Sequence, residues 1–263
     1  MKIITIANQK GGVGKTTTAT NLAACLAQRG SRVLLLDMDP QGNASSALGY
    51  RAEEGQSLYR VLIGYDTLAG KILPTRFPTL SLIPASMELA GCEVELVRSD
   101  NHLTRLREVI EPLKRLNQFD FLIIDCPPSL GVLMTSSLAA ADGLLIPIQC
   151  EYFGLEGLAR IVDIHDQIAA SGVNPHVSLE GILMTMYDGR TSHSRSVVEE
   201  VRRVFEKLVY QTVIPRSIAV AESQSYEKVL IEYDHNGRAT QAYRALAEEF
   251  LNRQLPQGGT QAA

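Results

Sequence analysis

The sequence predicts an α/β protein built on a doubly wound, mostly parallel sheet with helices on both faces. Seven short runs rich in leucine, isoleucine and valine alternate with longer helical stretches along 263 residues, a pattern typical of parallel sheets. Several runs are apolar at consecutive positions, as expected of strands covered on both faces. The predicted strands are, in chain order, KIITIAN, RVLLLD, LSLIPA, FDFLIID, GLLIPIQ, LEGILMTMY and YQTVIP.

The first and last helices are predicted from the spacing of their apolar residues. Such residues recur every three or four positions from Ala19 to Ala27, and Gly30 stands where a left-handed C-terminal cap is favoured. The same spacing runs from Ala239 to Leu251. Because no internal repeat or linker is visible, we predict a single domain over residues 1–255. The polar segment 256–263 is predicted to be a frayed tail.

Composition narrows the class of protein. Hydrophobic residues make up 45% and charged residues 21% of the chain, as in ordinary soluble proteins. There is neither an apolar run of about 18 residues nor a signal-peptide pattern before the first strand, so we expect a cytoplasmic protein. The four cysteines form no C-x-x-C pair, which favours reduced, buried thiols over disulfides or zinc ligands. The sequence contains neither the G-x-S-x-G motif of serine hydrolases nor the H-E-x-x-H motif of zinc proteases.

The segment NQKGGVGKTTT, residues 8–18, is a glycine-rich turn between the first strand and the first helix. In this context glycines let backbone N–H groups surround a phosphate, and the helix N-terminus favours the negative charge. Lys15 is expected to reach the β- and γ-phosphates, and Thr16 to bind Mg²⁺. Gln9 replaces the first glycine of the strict G-x-x-x-x-G-K-[ST] pattern. The predicted nucleotide-binding residues here are Lys10, Gly11, Gly12, Val13, Gly14, Lys15, Thr16 and Thr17.

Aspartates follow two of the predicted strands. Asp37 ends the run RVLLLD, Asp39 comes two residues later, and Asp125 ends FDFLIID. Ligands bind outside the carboxyl ends of the strands in open α/β sheets, so these carboxylates are expected to meet the glycine loop. An aspartate at the end of an apolar strand is the Walker B arrangement, which holds Mg²⁺ directly or through water. For Asp39, which precedes Pro40, a capping or turn role is an equally good interpretation.

Together with these segments, QCEYFGLEGL and TVIPR resemble the ParA/Soj branch of the deviant Walker A ATPases, a group of P-loop NTPases that partition chromosomes and plasmids. The resemblance covers nearly the whole chain. It implies an ATPase with ATP and Mg²⁺ as cofactors, in which Lys10 crosses to the nucleotide of the partner subunit in an ATP-dependent homodimer. It also implies catalytic roles for Lys10, Lys15 and Asp39, a Mg²⁺ site at Thr16, Asp37 and Asp125, and Pro215 beside the adenine.

Other branches of this superfamily fit less well. The end LNRQLPQGGTQAA is too polar for the membrane helix of MinD-type proteins, so no membrane binding is expected. Iron–sulfur carriers need paired thiolates, whereas Cys126 follows Asp125 inside a strand, where a packed thiol is favoured. Larger plasmid ParA proteins carry a DNA-reading domain before the first strand. The short chromosomal type is therefore the expected one.

Nonspecific DNA binding in such proteins uses basic residues of the C-terminal part. Residues 190–228 hold seven basic and five acidic residues, a net charge of +2, against 18 and 24 in the remainder, a net charge of −6. A solvated helix explains the stretch EEVRRVFEK equally well. After IPR the Soj-like pattern runs to an arginine and then SEAPSHGKP, whereas here Ala219 replaces the arginine and Glu227 precedes Lys228. The candidate DNA-binding residues are Arg190, Arg195, Arg216 and Lys228.

Two functions fit these observations. The first is an ATP-driven partitioning switch that binds double-stranded DNA as an ATP dimer and is released by hydrolysis stimulated by a ParB-like centromere-binding protein. The second is a positioning or regulatory ATPase of the same fold that acts on a protein cargo with little or no DNA binding. Retention on duplex DNA separates them, because a phosphate-contacting surface gives strong salt dependence.

Overall fold

The computed structural model describes residues 1–151 and 153–255, and a single sheet of eight described strands lies at its centre. The strands are β1 (Lys2–Ile6), β2 (Val33–Asp37), β3 (Leu73–Pro74), β4 (Leu80–Ile83), β5 (Phe121–Asp125), β6 (Gly143–Gln149), β7 (Ser178–Tyr187) and β8 (Val209–Pro215). Their order across the sheet is β3-β4-β2-β5-β1-β6-β7-β8. Neighbouring strands are parallel except β3 and β4, which are antiparallel.

The helices fill the connections between the strands. They are α1 (Lys15–Gln28), α2 (Asn43–Ala47), α3 (Tyr59–Leu62), α4 (Leu89–Leu96), α5 (Arg105–Leu116), α6 (Val132–Ala140), α7 (Phe153–Ala170), α8 (Ser192–Phe205), α9 (Ile218–Ser225), α10 (Leu230–Tyr233) and α11 (Arg238–Gln254). One hydrophobic cluster joins the sheet to α3–α8, and a second joins it to α1, α2, α10 and α11. The predicted doubly wound α/β fold with helices on both faces is confirmed.

All seven predicted strands are present, and β3 is the strand that the sequence did not reveal. It has two residues and pairs Leu73 with Leu82 at the edge of the sheet, so it lacks the length and apolar alternation on which strand prediction depends. The predicted first helix ends as expected, because Gly30 adopts a left-handed φ of 87°. The last helix buries the predicted face on the sheet, and all four cysteines are free and buried.

The middle of the sheet positions the glycine loop and the aspartates. β1 lies between β5 and β6, and Ile6, its last residue, pairs in register with Asp125. Asp37 pairs with Asp125 on the other side of β5. Since these strands are parallel, the loop after β1 and both strand-end carboxylates lie at one edge of the sheet, as the sequence predicted.

Within residues 1–151 and 153–255, no helix combines the length and the apolar character needed to cross a membrane. The predicted tail, residues 256–263, lies outside the described residues.

Candidate functional site

The glycine loop turns sharply between β1 and α1. Gly12 and Gly14 have φ values of 73° and 88°, a left-handed region that side-chain-bearing residues seldom adopt. Val13 between them is buried, and its carbonyl accepts a hydrogen bond of 2.9 Å from Thr185 Oγ1 at the end of β7. Thr185 therefore fixes the loop from a distant strand. The sequence analysis did not single it out.

The N-terminus of α1 opens toward this loop. Its first regular hydrogen bond runs from Thr18 N to Gly14 O at 2.9 Å, so the N–H groups of Lys15, Thr16 and Thr17 lie at the free end of the helix. The N-cap residue, Gly14, has no side chain to satisfy them. Free N–H groups at a helix N-terminus, combined with the helix dipole, form a binding site for phosphate.

Lys15 extends along the inside of the loop. Only 7% of the residue is exposed, and its Nζ donates a hydrogen bond of 3.2 Å to the carbonyl oxygen of Lys10. Burial lowers the pKa of Lys15, and the nearby carboxylate of Asp125 acts in the opposite direction. A lysine ammonium in this position has donors left for an anionic ligand. Its predicted contact with the β- and γ-phosphates stays a prediction.

Lys10 leaves the loop on a different side. Its N–H donates to Asn8 Oδ1 at 3.0 Å, and Asn8 Nδ2 donates to the carbonyl oxygen of Pro147 at 2.9 Å. On α7, a Cβ added to Gly157 would lie 3.7 Å from Lys10 Cβ, so the Lys10 side chain leaves the loop beside that helix. Among the described residues, the lining of the cleft over the loop includes Lys15 but not Lys10.

Asp37 and Asp39 lie close together at the end of β2 but differ in the partners that they have. The oxygens of Asp37, which is fully buried, accept hydrogen bonds from Asp39 N (3.1 Å), Ser45 N (2.8 Å) and Ser45 Oγ (2.7 Å). Burial raises the pKa of Asp37, and the Ser45 hydrogen bonds oppose that rise. Asp39 Oδ1 accepts from Gln41 N at 3.0 Å and Asp39 lines the cleft. The hydrogen bond from Gln41 N is the turn contact expected of an aspartate before Pro40, and Asp39 nevertheless lines the cleft.

Asp125 carries the strongest sign of a cation site. It is fully buried, and neither carboxylate oxygen has a hydrogen-bond partner of ordinary geometry among the described residues. Burial and the Asp37 carboxylate raise its pKa well above the usual range, whereas the Thr16 hydroxyl lies near enough to favour the charged form. An unpaired buried carboxylate is costly unless a cation or donor meets it. Its position beside Thr16 and Lys15 fits a Mg²⁺ ion bound to phosphates.

The metal site is incomplete without further ligands. Across the described residues, no group of three His, Cys, Asp or Glu side chains is placed to hold a metal ion. Mg²⁺ usually takes only one or two protein ligands and completes its coordination with waters and substrate phosphates. Thr16 and Asp125 are the residues best placed for direct contact. The oxygens of Asp37, the third predicted metal residue, accept hydrogen bonds from Asp39 and Ser45, and its part in the metal site stays a prediction.

The cleft extends from the loop to β8 and α9 and has a volume of about 590 Å³. Pro215, the residue predicted to lie beside the adenine, lines it. So does Met186, at the end of β7, whose φ of 52° is unusual for a residue with a side chain. Further lining residues that the sequence analysis did not single out include Asn43, Pro128, Ile214, Val220 and Gln224.

Three of the four candidate DNA-binding residues gather around the loop after β7. Arg190 forms an ion pair of 2.7 Å with Asp188, whose pKa this arginine lowers to about 2. Arg195 Nη1 donates to the carbonyl oxygen of Gly189 at 2.7 Å. Arg216 N donates to the carbonyl oxygen of Tyr187, and its side chain pairs with Glu151 at 3.2 Å at the mouth of the cleft.

Lys228 lies elsewhere, between α9 and α10. It is exposed, and none of the contacts among the described residues joins it to the three arginines. Glu227 beside it has a φ of 53° and forms an ion pair with Arg51, so its charge is matched by an arginine from another segment. The four predicted residues therefore form two separate groups, and whether either binds DNA stays a prediction.

Comparison with known proteins identifies the family. A family model described as an AAA domain matches residues 1–179. The chromosome partitioning protein ParA of Myxococcus xanthus is 46% identical over 256 residues, which cover 97% of this chain and 89% of that protein. The chromosome-partitioning ATPase Soj of Thermus thermophilus is 46% identical over 250 residues, 95% of each chain. This chain belongs to the ParA/Soj family of P-loop ATPases.

Solved structures agree with the family. Cobyrinic acid a,c-diamide synthase of Mycobacterium smegmatis, with a bound ATP analogue and magnesium, is 34% identical; the match has a TM-score of 0.84 and covers 96% of this chain and 94% of that one. The predicted resemblance to ParA/Soj proteins, the P-loop fold and the assignment as an ATPase are confirmed. The individual site residues stay predictions that the geometry supports.

Proposed function

We propose that this ParA/Soj-family chain is a nucleotide switch of chromosome or plasmid partitioning, with residues 1–255 acting as one Mg²⁺-dependent ATPase domain. The observation that carries the proposal is the separation of the two loop lysines. Lys15 lies in the cleft, whereas Lys10 leaves the loop beside α7. One lysine is thus placed for the nucleotide of its own subunit, and the other for a surface that faces it.

ATP occupies the cleft with its phosphates on the glycine loop and its base toward Pro215 and Met186. Lys15 and the free N–H groups of α1 supply the positive end of this site. Thr16 and Asp125 hold Mg²⁺, which neutralises part of the phosphate charge. Asp39, held by Asp37 and Gln41, faces the γ-phosphate end and positions the attacking water.

Lys10 couples the binding of ATP to the formation of the dimer. Its backbone is anchored by Asn8, and its Cβ lies beside Gly157, so it leaves the loop on the side of α7. A second copy facing the loop brings its ATP phosphates to this lysine, and ATP is then enclosed between two subunits. ADP, which lacks the γ-phosphate, offers less charge to Lys10 and favours the monomer.

DNA binding follows from the dimer. Each subunit contributes a small basic group, Arg190, Arg195 and Arg216, and two linked copies gain apparent affinity through effective concentration. Hydrolysis, stimulated by a ParB-like centromere-binding partner, separates the copies and releases the DNA. The partitioning proteins named above as relatives support this role.

A second candidate is a positioning ATPase that acts on a protein cargo. The observation in its favour is that Arg190 and Arg216 are already paired with Asp188 and Glu151, and Lys228 lies apart from them. Paired arginines attract phosphates less strongly than free ones, because the neighbouring carboxylate opposes the approach of an anion.

The experiment that tests the first candidate is retention on nonspecific duplex DNA with Mg-ATP or Mg-ADP at low and high salt. We expect retention with ATP only, loss at high salt, and weaker retention in Arg190→Glu with ATP-dependent dimerisation preserved. Arg115→Glu, an equal charge change at an exposed position of α5, is the matched control and should behave as the parent. Equal retention with both nucleotides, or none at low salt, would favour the protein-cargo function.

A further inference from the structure

Gln224 is a cleft residue for which neither the predicted site nor the proposed function gives a role. α9 brings its side chain to the cleft wall beside Val220 and Ala221. Its amide nitrogen donates a hydrogen bond of 3.1 Å to Thr17 Oγ1, joining α9 to the first turn of α1.

The Thr17 hydroxyl has one contact and one remaining donor. Thr17 is only 8% exposed, and its hydroxyl accepts from Gln224 but has no acceptor for its own proton among the described residues. Asn21 Nδ2 and Thr20 Oγ1 contact the carbonyl oxygen of Thr17, not its hydroxyl. A hydroxyl that accepts on one side directs its proton elsewhere. Thr17 lines the cleft, so the cleft is where that proton finds an acceptor.

The chain that follows α9 is also tied to α1. Just beyond α9, Leu230 N donates to Asn21 Oδ1 at 2.8 Å, and Asn21 Nδ2 donates to the carbonyl oxygen of Thr17 at 2.9 Å. The segment that carries Gln224 is therefore tied to α1 at two places one turn apart. The Gln224 side chain itself is exposed, and its hydrogen bond to the Thr17 hydroxyl is the contact that joins it to α1.

We propose that Gln224 is a positioning residue for nucleotide binding, which holds the Thr17 hydroxyl as a donor to the α-phosphate. The proposal rests on the placement of ATP given under the proposed function. Thr17 and Gln224 line the same cleft as Lys15, Asp39 and Pro215, and Thr17 belongs to the first turn of α1. With the γ-phosphate at Lys15 and Asp39 and the base at Pro215, the α-phosphate is the one left for the Thr17 hydroxyl. The α-phosphate is the phosphate nearest the base, and it is shared by ADP and ATP.

Replacing Gln224 by methionine keeps the length of the side chain and removes the donor. The Thr17 hydroxyl then loses its fixed orientation, and we expect affinity for Mg-ADP and for a slowly hydrolysed ATP analogue to fall by the same factor, about three- to tenfold, as for loss of one hydrogen bond. Gln224→Glu should bind more weakly than Gln224→Met, because a carboxylate accepts the Thr17 proton and adds negative charge beside the phosphates.

The test is a double-mutant cycle with Thr17→Val, measured by calorimetry for both nucleotides. If Gln224 acts through the hydroxyl, Gln224→Met costs nothing further in the Thr17→Val background. Ser225→Ala, at an exposed position of the same helix, is the matched control and should bind as the parent. Melting temperatures of the nucleotide-free variants check that each one is folded.

The outcomes separate this proposal from the proposed function. Parent binding of both nucleotides, equal losses for ADP and ATP in Gln224→Met, and no further loss in the double variant would support the role of Gln224. Parent-like affinity in Gln224→Met, or losses that add in full to those of Thr17→Val, would overturn that role alone. A parent that binds neither nucleotide would overturn the placement of ATP in the cleft.

Discussion

Replacing Lys15 by alanine tests the nucleotide site at its buried lysine, the side chain expected to contact the phosphates. Lys15 is buried beside the free N–H groups of α1, and its ammonium contacts only the Lys10 carbonyl among the described residues. A hydrogen bond between a charged donor and a phosphate is worth about 1.5–3 kcal/mol. At about 1.4 kcal/mol for each factor of ten, affinity for Mg-ADP should fall about 10- to 150-fold.

The free protein should tolerate this change. The hydrogen bond to the Lys10 carbonyl contributes about 1 kcal/mol, and alanine no longer has to bury a charge, the process that lowers the pKa of Lys15. Loss of affinity without loss of folding is therefore expected in Lys15→Ala.

Isothermal titration calorimetry with Mg-ADP measures the effect directly, since ADP avoids hydrolysis and dimerisation. Lys10→Ala is the matched control, because Lys10 does not line the cleft of its own subunit; it should bind Mg-ADP as the parent does. Parental affinity in Lys15→Ala, or an equal loss in Lys10→Ala, would refute the assignment of the two lysines.

Two further changes probe the metal site and the C-terminal surface. Asp125→Asn should keep the fold, since the two side chains have the same shape, but should lose most of the Mg²⁺ dependence of ATP hydrolysis; turnover that still rises with Mg²⁺ as in the parent would contradict the site. Glu227→Gly should change the melting temperature by less than about 4 °C. Relief of the left-handed conformation is offset by a more flexible unfolded chain, and the exposed ion pair with Arg51 that is lost contributes little to stability. The substitution should also strengthen ATP-dependent DNA retention by removing a carboxylate beside Lys228, and unchanged retention at every salt concentration would show that this surface does not meet DNA.

The sequence was most informative where buried strands end in functional residues. β2 and β5 are continuous apolar runs that end at Asp37 and Asp125. The length of each strand, its burial on both faces and the position of its aspartate at the carboxyl edge of the sheet were therefore predictable from the residues alone. The glycine loop was equally clear, since glycine is needed at Gly12 and Gly14 for their left-handed conformations. Each of these features depends on residues that are neighbours in the chain, so it can be predicted from the sequence.

Features that depend on distant contacts were not predictable. Thr185 reaches the loop from β7, and Gln224 reaches the first turn of α1 from α9; nothing in their own segments indicates these contacts. For Thr185 a signal existed, because it lies near the carboxyl end of a predicted parallel strand, the edge where ligands bind. Likewise, the separation of Lys228 from Arg190 follows from the path of α9 and α10 across the other face of the sheet, which charge counting along the chain does not show.

The central claim, that ATP joins two subunits until hydrolysis separates them, is tested most directly by sedimentation velocity of Asp39→Ala. Asp39 lines the cleft at its phosphate end but is not among the residues that hold the loop. We predict that the variant sediments as a dimer with Mg-ATP and as a monomer with Mg-ADP, and that its dimer outlasts that of the parent because hydrolysis is slow. A variant that stays monomeric with Mg-ATP, or that hydrolyses ATP at the parental rate, would contradict the proposed switch.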